Sequence, residues 1–272
     1  MLKSQKYNID GLSITLHNEE EFASMRKAGS LAATILDNLF DYIKPGISTE
    51  DINSFCHEMI IKNKAIPAPL NYRGFPKSVC TSVNHVVCHG IPNESKILKN
   101  GDIVNVDVTV IVDGWHGDSS RMFSAGKINT KSMKLLKVTY ECLMKAIEIL
   151  KPGIHLGDIG SVIQDHAESN NFSVVRDFCG HGLGKTFHSP PSVLHFGEKG
   201  KGIELKKGMF FTIEPMIKEG NFDVKILKDG WTAVTKDKSL SSQFEHSVGI
   251  TDKGSEIFTL SKNGTEFPIN DL

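Results

Sequence analysis

The run from Ile103 to Val112 constrains this chain more than any other stretch. Val stands at every even position from 104 to 112, while the odd positions read Ile103, Asn105, Asp107, Thr109 and Ile111. Side chains alternate across a strand, so one face is a wall of β-branched residues and the other displays Asn105, Asp107 and Thr109. Asp113-Gly114 follows, the preferred two-residue turn of a hairpin. Pairing Val112 with Trp115 sets Asp118 opposite Thr109, on the face of Asp107 and one diagonal step from it. Diagonal neighbours lie roughly 7–8 Å apart. An odd-length loop would turn Asp118 to the other face. Two close carboxylates on a half-buried sheet raise each other's pKa unless a cation lies between them. The hairpin therefore predicts a metal site.

Around it the chain reads as helices and short strands, twice over. Residues 1–17 are expected to form an arm or edge strand. Asn18-Glu19-Glu20-Glu21 resembles a capped helix start, and helical spacing of Phe22, Met25, Gly29, Ala32, Leu36, Leu39 and Ile43 carries that helix to Lys44-Pro45-Gly46. Ser48 caps a second helix with Ile52, Cys56 and Ile60 on its apolar stripe, and strand-like pieces follow at 77–88. The pattern then restarts. Lys44-Pro45-Gly46-Ile47 recurs as Lys151-Pro152-Gly153-Ile154, 107 residues on, and Asp51-Ile52 recurs as Asp158-Ile159. Leu98-Lys99-Asn100-Gly101 matches Leu205-Lys206-Lys207-Gly208 in the same register, which lays Asp107 on Glu214. A second Asp-Gly turn, Asp229-Gly230, joins Val224–Leu227 to Thr232–Thr235, and Gln243 to Ile250 reads as a closing strand. The expectation is an α+β protein: one domain over 18–272, with half-repeats at about 20–125 and 130–250 facing across a cleft in a largely antiparallel sheet.

With 272 residues there is ample chain for a real core, and a net charge of −1 gives no argument for nucleic acid or an anionic membrane. Five Cys without CxxC spacing read as reduced thiols, and the start MLKSQKYNID lacks the apolar run of a signal peptide. A cytoplasmic protein is expected, monomeric by default.

Four acids interrupt apolar strands: Asp107, Asp118, Glu214 in Phe210-Phe211-Thr212-Ile213-Glu214, and Glu245. A buried, unpaired acid is expensive, so the four are more informative together than singly. Gly180-His181-Gly182 adds an imidazole where backbone can approach closely. Four carboxylates carry −4, which two divalent ions neutralise and one does not. One His among carboxylates suits Mn, Fe(II), Co or Zn in a two-metal hydrolytic site.

The runs NYRGFPKSVCTSVNHVVCHGIP, NVDVTVIVDGWHGDSSRMF, GHGLGKTFHSPPSV, FTIEPM and SSQFEHSVGI resemble those of type I methionine aminopeptidases, in order and over about residues 18–252. The resemblance implies the pita-bread fold, a pseudo-twofold α+β sandwich. It implies two metal ions on Asp107, Asp118, His181, Glu214 and Glu245, with Asp118 and Glu245 shared by both ions and Glu214 as general base or proton shuttle. It gives His89 a role at the scissile amide and His188 one at the substrate carbonyl. Tyr72, Phe75, Cys80, Phe187 and Trp231 match the pocket for the Met side chain, and Asn84, Val86 and Ser241 match a monovalent-cation site. The implied activity is removal of the initiator Met from nascent chains, at the ribosome, when the second residue is small. His85, His116, His195 and His246 are read as structural or surface. The spacings from His181 to Glu214 and from there to Glu245 leave no room for the helical insertion of type II enzymes. Two rivals remain: an X-Pro aminopeptidase or prolidase on the same fold, which usually carries a second His among the ligands and a separate N-terminal domain, and a silent relative that binds RNA or protein.

Overall fold

Residues 4–269 are described in a computed structural model of the chain. In chain order, β1 (Gln5–Ile9) and β2 (Leu12–Leu16) precede α1 (Glu19–Asn38) and α2 (Thr49–Lys62). β3 (Ile66–Pro67), a 3-10 turn at Tyr72–Gly74, β4 (Cys80–Val83) and β5 (Val86–Cys88) lead into β6 (Asp102–Val112) and β7 (Trp115–Ala125). The second half opens with α3 (Thr130–Glu148) and α4 (Leu156–Ser169), then β8 (Ser173–Val174), β9 (Gly180–Gly182), β10 (Ser189–Val193) and β11 (Phe210–Ile213). It closes with β12 (Met216–Lys218), β13 (Val224–Ile226), β14 (Ala233–Thr235), β15 (Ser241–Gln243), β16 (His246–Ile250) and β17 (Ser255–Ile257).

The β6–β7 hairpin has the register its turn dictates: Val112 opposes Trp115, Thr109 opposes Asp118 and Asp107 opposes Ser120. Its Val face is buried under α1 and α2, completely at Val104, Val106, Val108 and Val110, which pack with Leu36, Leu39, Ile52 and Ile60, and partly at Val112. The second half has its own core. Phe211, Ile213 and Val248 of its sheet meet Leu135 and Cys142 of α3 and Ile159 and Ile163 of α4. Both α1 and α2 start on side-chain caps of the expected kind, Asn18 with Glu21 and Ser48 with Asp51.

The 107-residue periodicity survives in the hydrogen bonds. α2 and α4 are displaced by 107 at both ends. The Gly46 N–H donates to Leu98 O at 2.8 Å, and Gly153 N–H to Leu205 O at 3.0 Å. Isolated bridges pair Ser48 with Ile97 and His155 with Glu204, again one repeat apart. Two layers of paired helices thus cover antiparallel strands, and the open faces of the two halves meet.

Four expectations need correction. α1 stops at Asn38 rather than at Lys44-Pro45-Gly46. Leu39 and Ile43 stay buried through a tight turn in which Ile43 N–H bonds Leu39 O, and i, i+4 burial does not distinguish such a turn from a helix. Gln243 to Ile250 is two strands, because the chain leaves the β15–β12–β8 sheet and enters the β10–β9–β11–β16–β17 sheet at Phe244–Glu245. The strands accordingly form several short antiparallel sheets, not one continuous sheet, among the described residues. The N-terminal arm is a hairpin, β1 with β2, turned by Asp10-Gly11, a third Asp-Gly signal.

α1 lies close against β7, and a glycine makes that possible. A Cβ at Gly117 would penetrate the backbone carbonyl of Ala28. Gly117→Ala is expected to destabilise the protein by about 1–3 kcal/mol, the range for overpacking. The midpoint of denaturant unfolding measures this, and an unchanged midpoint would mean that the helix can retreat without loss. Asp118 is the next residue, so the same contact sets the height of the strand that carries it.

Candidate metal centre

Five donors reach one place from five segments: Asp107 from mid-β6, Asp118 from β7, His181 from β9, Glu214 from just past β11, and Glu245 from the junction of β15 and β16. They form the floor of a cavity of about 350 Å³. Ligand atoms of Asp118, His181 and Glu245 all lie within 4.8 Å of one another. His181 Nε2 is 3.6 Å from Asp118 Oδ2 and 3.7 Å from Glu214 Oε1. Gly180 and Gly182 flank His181 because a Cβ on either would strike the backbone of Thr212 or Pro190, the neighbouring strands. The glycines let a two-sided strand carry one functional side chain.

Hydrogen bonds hold the carboxylates of Asp118 and Glu214 and the backbone of Glu245. Thr109 Oγ1 donates to Asp118 Oδ1 at 2.6 Å, the cross-strand pair set by the hairpin. Thr212 Oγ1 donates to Glu214 Oε1 at 2.8 Å, and Gln243 Nε2 to Glu214 Oε2 at 3.2 Å. The Glu245 N–H bonds Ser120 O at 2.9 Å, and Ser119 Oγ donates to Glu245 O at 2.7 Å. Ser247 Oγ in turn donates to Asp118 O at 2.6 Å. The two halves are therefore joined by hydrogen bonds at the acids themselves.

Burial pushes all four carboxyls up, Asp118 to about 7 and the others well above their ordinary range, and Asp118 adds repulsion at Asp107, Glu214 and Glu245. Burial also holds His181 down to about 4, so it is neutral with a lone pair to offer. Four acids that cannot all ionise alone, beside a neutral imidazole, are a donor set that fits divalent cations.

The walls carry the remaining residues singled out from sequence. His89, His188, Tyr72, Phe75, Cys80, Phe187 and Trp231 all line the same cavity. Cys80 sits directly opposite Asp107 in the β4–β6 ladder. Phe75 meets Trp231 edge-on at 5.2 Å, and Tyr72 tilts against Phe187 at 4.9 Å. His188 Nδ1 lies 3.0 Å from the Tyr72 hydroxyl, and burial lowers its pKa to about 3. His89 has a left-handed backbone, φ 55°, and burial lowers its pKa as well. Asn84, Val86 and Ser241 lie outside this lining. Ser241 N–H donates to Asn84 O at 2.9 Å, and Val86 pairs with Val234.

The model of metallopeptidase family M24 matches residues 23–252. The chain belongs to metallopeptidase family M24. Within M24 it is 57% identical over 258 residues to a methionine aminopeptidase of Rickettsia prowazekii, covering 94% of this chain and 99% of that one. It is 49% identical over 255 residues to the methionine aminopeptidase of Escherichia coli, covering 93% and 97%. The crystal structure of the R. prowazekii enzyme is similar to this chain with a TM-score of 0.90 at 58% identity, over 91% of this chain and all of that one. Prolidase from Pyrococcus furiosus shares the fold alone: TM-score 0.72 and 20% identity, over 91% of this chain and 66% of that one. The M24 pita-bread fold is thus the architecture of this chain, and the relatives at 49% and 57% identity are methionine aminopeptidases.

Several residues at this cavity escaped the sequence reading. Arg73, Asp177, Phe178, Cys179 and Met216 also line the cavity. Thr212 and Gln243 stand inside motifs already quoted, two residues from an acid, and that spacing on a strand could have flagged them. His116 stacks on Phe187 at 5.3 Å and anchors Gly184 O, so it props the pocket wall. His246 is buried and faces away, toward Thr259 and Glu266. His195 is buried against Glu214, and no sequence signal linked the two.

Proposed function

We propose that this M24 metallopeptidase removes the N-terminal Met from nascent polypeptides whose second residue is small. The observation that carries it is the convergence of five donors at the floor of one aromatic-walled cavity. Asp107, Asp118, His181, Glu214 and Glu245 would hold two divalent ions, of Co, Mn, Fe or Zn type, with Asp118 and Glu245 shared; the charge of the four acids supports two ions rather than one. Bound there, divalent ions act as Lewis acids, making a water nucleophilic at neutral pH and anchoring a free α-amine.

The chain's own residues do the rest. Glu214, held at both oxygens, takes the proton of the attacking water and passes it to the departing nitrogen. If the Tyr72 hydroxyl donates to His188 Nδ1, the ring is fixed as the Nε2–H tautomer, a donor for the substrate carbonyl oxygen. His89, neutral and set against Phe178 and Trp231, is suited to steady the leaving amide. Tyr72, Phe75, Phe187 and Trp231 with the Cys80 thiol give an unbranched thioether soft, polarizable contacts. Asn84, Val86 and Ser241 form the proposed monovalent-cation site, a structural one.

The catalytic unit is residues 18–272 as two half-repeats, preceded by the arm at 1–17. The proposed setting is a cytoplasmic monomer that meets chains at the ribosome, without nucleic acid or membrane as a direct partner. Among the described residues no helix is long and apolar enough to cross a membrane. Metal-stripped protein titrated with Co(II) or Mn(II) should release Met from Met-Ala-Ser and leave Ala-Pro-Ala intact. Cleavage before Pro would move the activity to the X-Pro enzymes, and no cleavage with any metal would leave a binding module.

A further inference from the structure

We propose that His195 is a positioning residue for the reaction assigned above, holding the backbone of Glu214 through its neutral imidazole. The inference rests on that reading of Glu214. β11 ends at Ile213, whose cross-strand partner is His246, and Pro215 follows Glu214 with no N–H of its own. The Glu214 amide is therefore past the end of its ladder. Its counterpart in the first half, Asp107, sits mid-strand with Cys80 on one side and Ser120 on the other. The second half lacks that frame, and a side chain replaces it: the Glu214 N–H donates to His195 Nε2 at 3.1 Å.

The geometry dictates the state of the ring. A backbone amide can only donate, so Nε2 must be bare and the proton must be on Nδ1. His195 is completely buried, and its Nδ1 has no partner among the described residues. A buried donor left unpaired is a cost that an aromatic hydrocarbon at the same place would not carry. What the imidazole supplies in return is the acceptor for Glu214.

The consequence is a carboxylate fixed at three points. His195 holds its backbone, Thr212 Oγ1 holds Oε1 and Gln243 Nε2 holds Oε2. Thr212 Oγ1 also accepts the His181 N–H at 3.0 Å, so the backbones of His181 and Glu214 are referenced to one another. Loosening the Glu214 amide would shift the proton carrier more than the walls that bind substrate.

Three proteins test this. His195→Phe removes the acceptor, whereas His195→Gln places Oε1 as many bonds from Cβ as Nε2 is. With metal content measured and saturating, His195→Phe should lower kcat roughly 10–100-fold, the usual range for a residue that orients a ligand, with KM unchanged. His195→Gln should recover most of it. A folded, metal-loaded His195→Phe with wild-type kcat, a loss carried by KM, or a Gln variant no better than Phe would each overturn the proposal. If the Phe variant does not fold, nitrogen-15 NMR of the wild type decides: bare Nε2 with protonated Nδ1 supports the role, and an Nε2–H ring overturns it. Failure of the wild type to release Met would defeat the proposed activity instead, leaving the ring assignment measurable.

Discussion

Glu214→Gln lowers kcat roughly 10²–10⁴-fold, the contribution expected of a positioned general base, and leaves KM within a few-fold. The amide is isosteric and keeps the contact from Thr212, but it cannot take a proton from water. Steady-state hydrolysis of Met-Ala-Ser at saturating metal separates the two constants. Metal content must be measured on the same sample, because Glu214 is also among the proposed ligands. A metal-loaded variant with near wild-type kcat would remove Glu214 from the proton path. A loss confined to KM would make it a binding residue.

Chelation is expected to abolish turnover and to expose a pH dependence opposite to that of most carboxylates. Burial and mutual repulsion raise the folded-state pKa of Asp107, Asp118, Glu214 and Glu245. In the stripped protein the folded state then binds more protons than the unfolded one above the ordinary carboxylate range. Stability must fall as pH rises through the raised values. Moving Asp118 alone from the usual aspartate range to about 7 is on the order of 4 kcal/mol. Thermal melts of stripped protein should therefore lose Tm from pH 5 to pH 8. Adding Mn(II) should restore it most at pH 8, where the cation competes with fewer protons. A stripped protein whose Tm climbs over that range would show that the acids are not desolvated together, and the metal centre would lose its electrostatic basis.

Gly117 connects these effects to the fold. It admits α1 against β7 one residue before Asp118, so a stability measurement and an activity measurement on Gly117→Ala report on the same strand. Stabilisation by metal in that variant should shrink if the strand moves, and stay constant if only the helix does.

The pairing of Thr109 with Asp118 was legible in the sixteen residues from Ile103 to Asp118, because strand alternation and an Asp-Gly turn are local rules that leave one register. The 107-residue repeat was legible too, since Lys-Pro-Gly stops and capped helix starts are read along the chain, and they return as paired bridges at Ser48–Ile97 and His155–Glu204. The resemblance to methionine aminopeptidases named metal-donor and pocket residues that fall in one cavity, and three more, Asn84, Val86 and Ser241, that lie outside its lining. What the chain alone determined, then, is what short-range stereochemistry determines: which residues alternate, where helices begin, and how one hairpin registers. The place where Gln243 to Ile250 breaks between two sheets depended on what lay on either side, namely Met216 of β12 and Ile213 of β11. The end of α1 at Asn38 depended on a core that accepts Leu39 and Ile43 from a turn as readily as from a helix. The bond from Glu214 to His195 joins residues 19 apart with no periodic relation, through a side chain whose type is explained only by a ladder that has run out. Only the tertiary structure decided these, because burial and hydrogen-bond satisfaction are settled between segments and not within them.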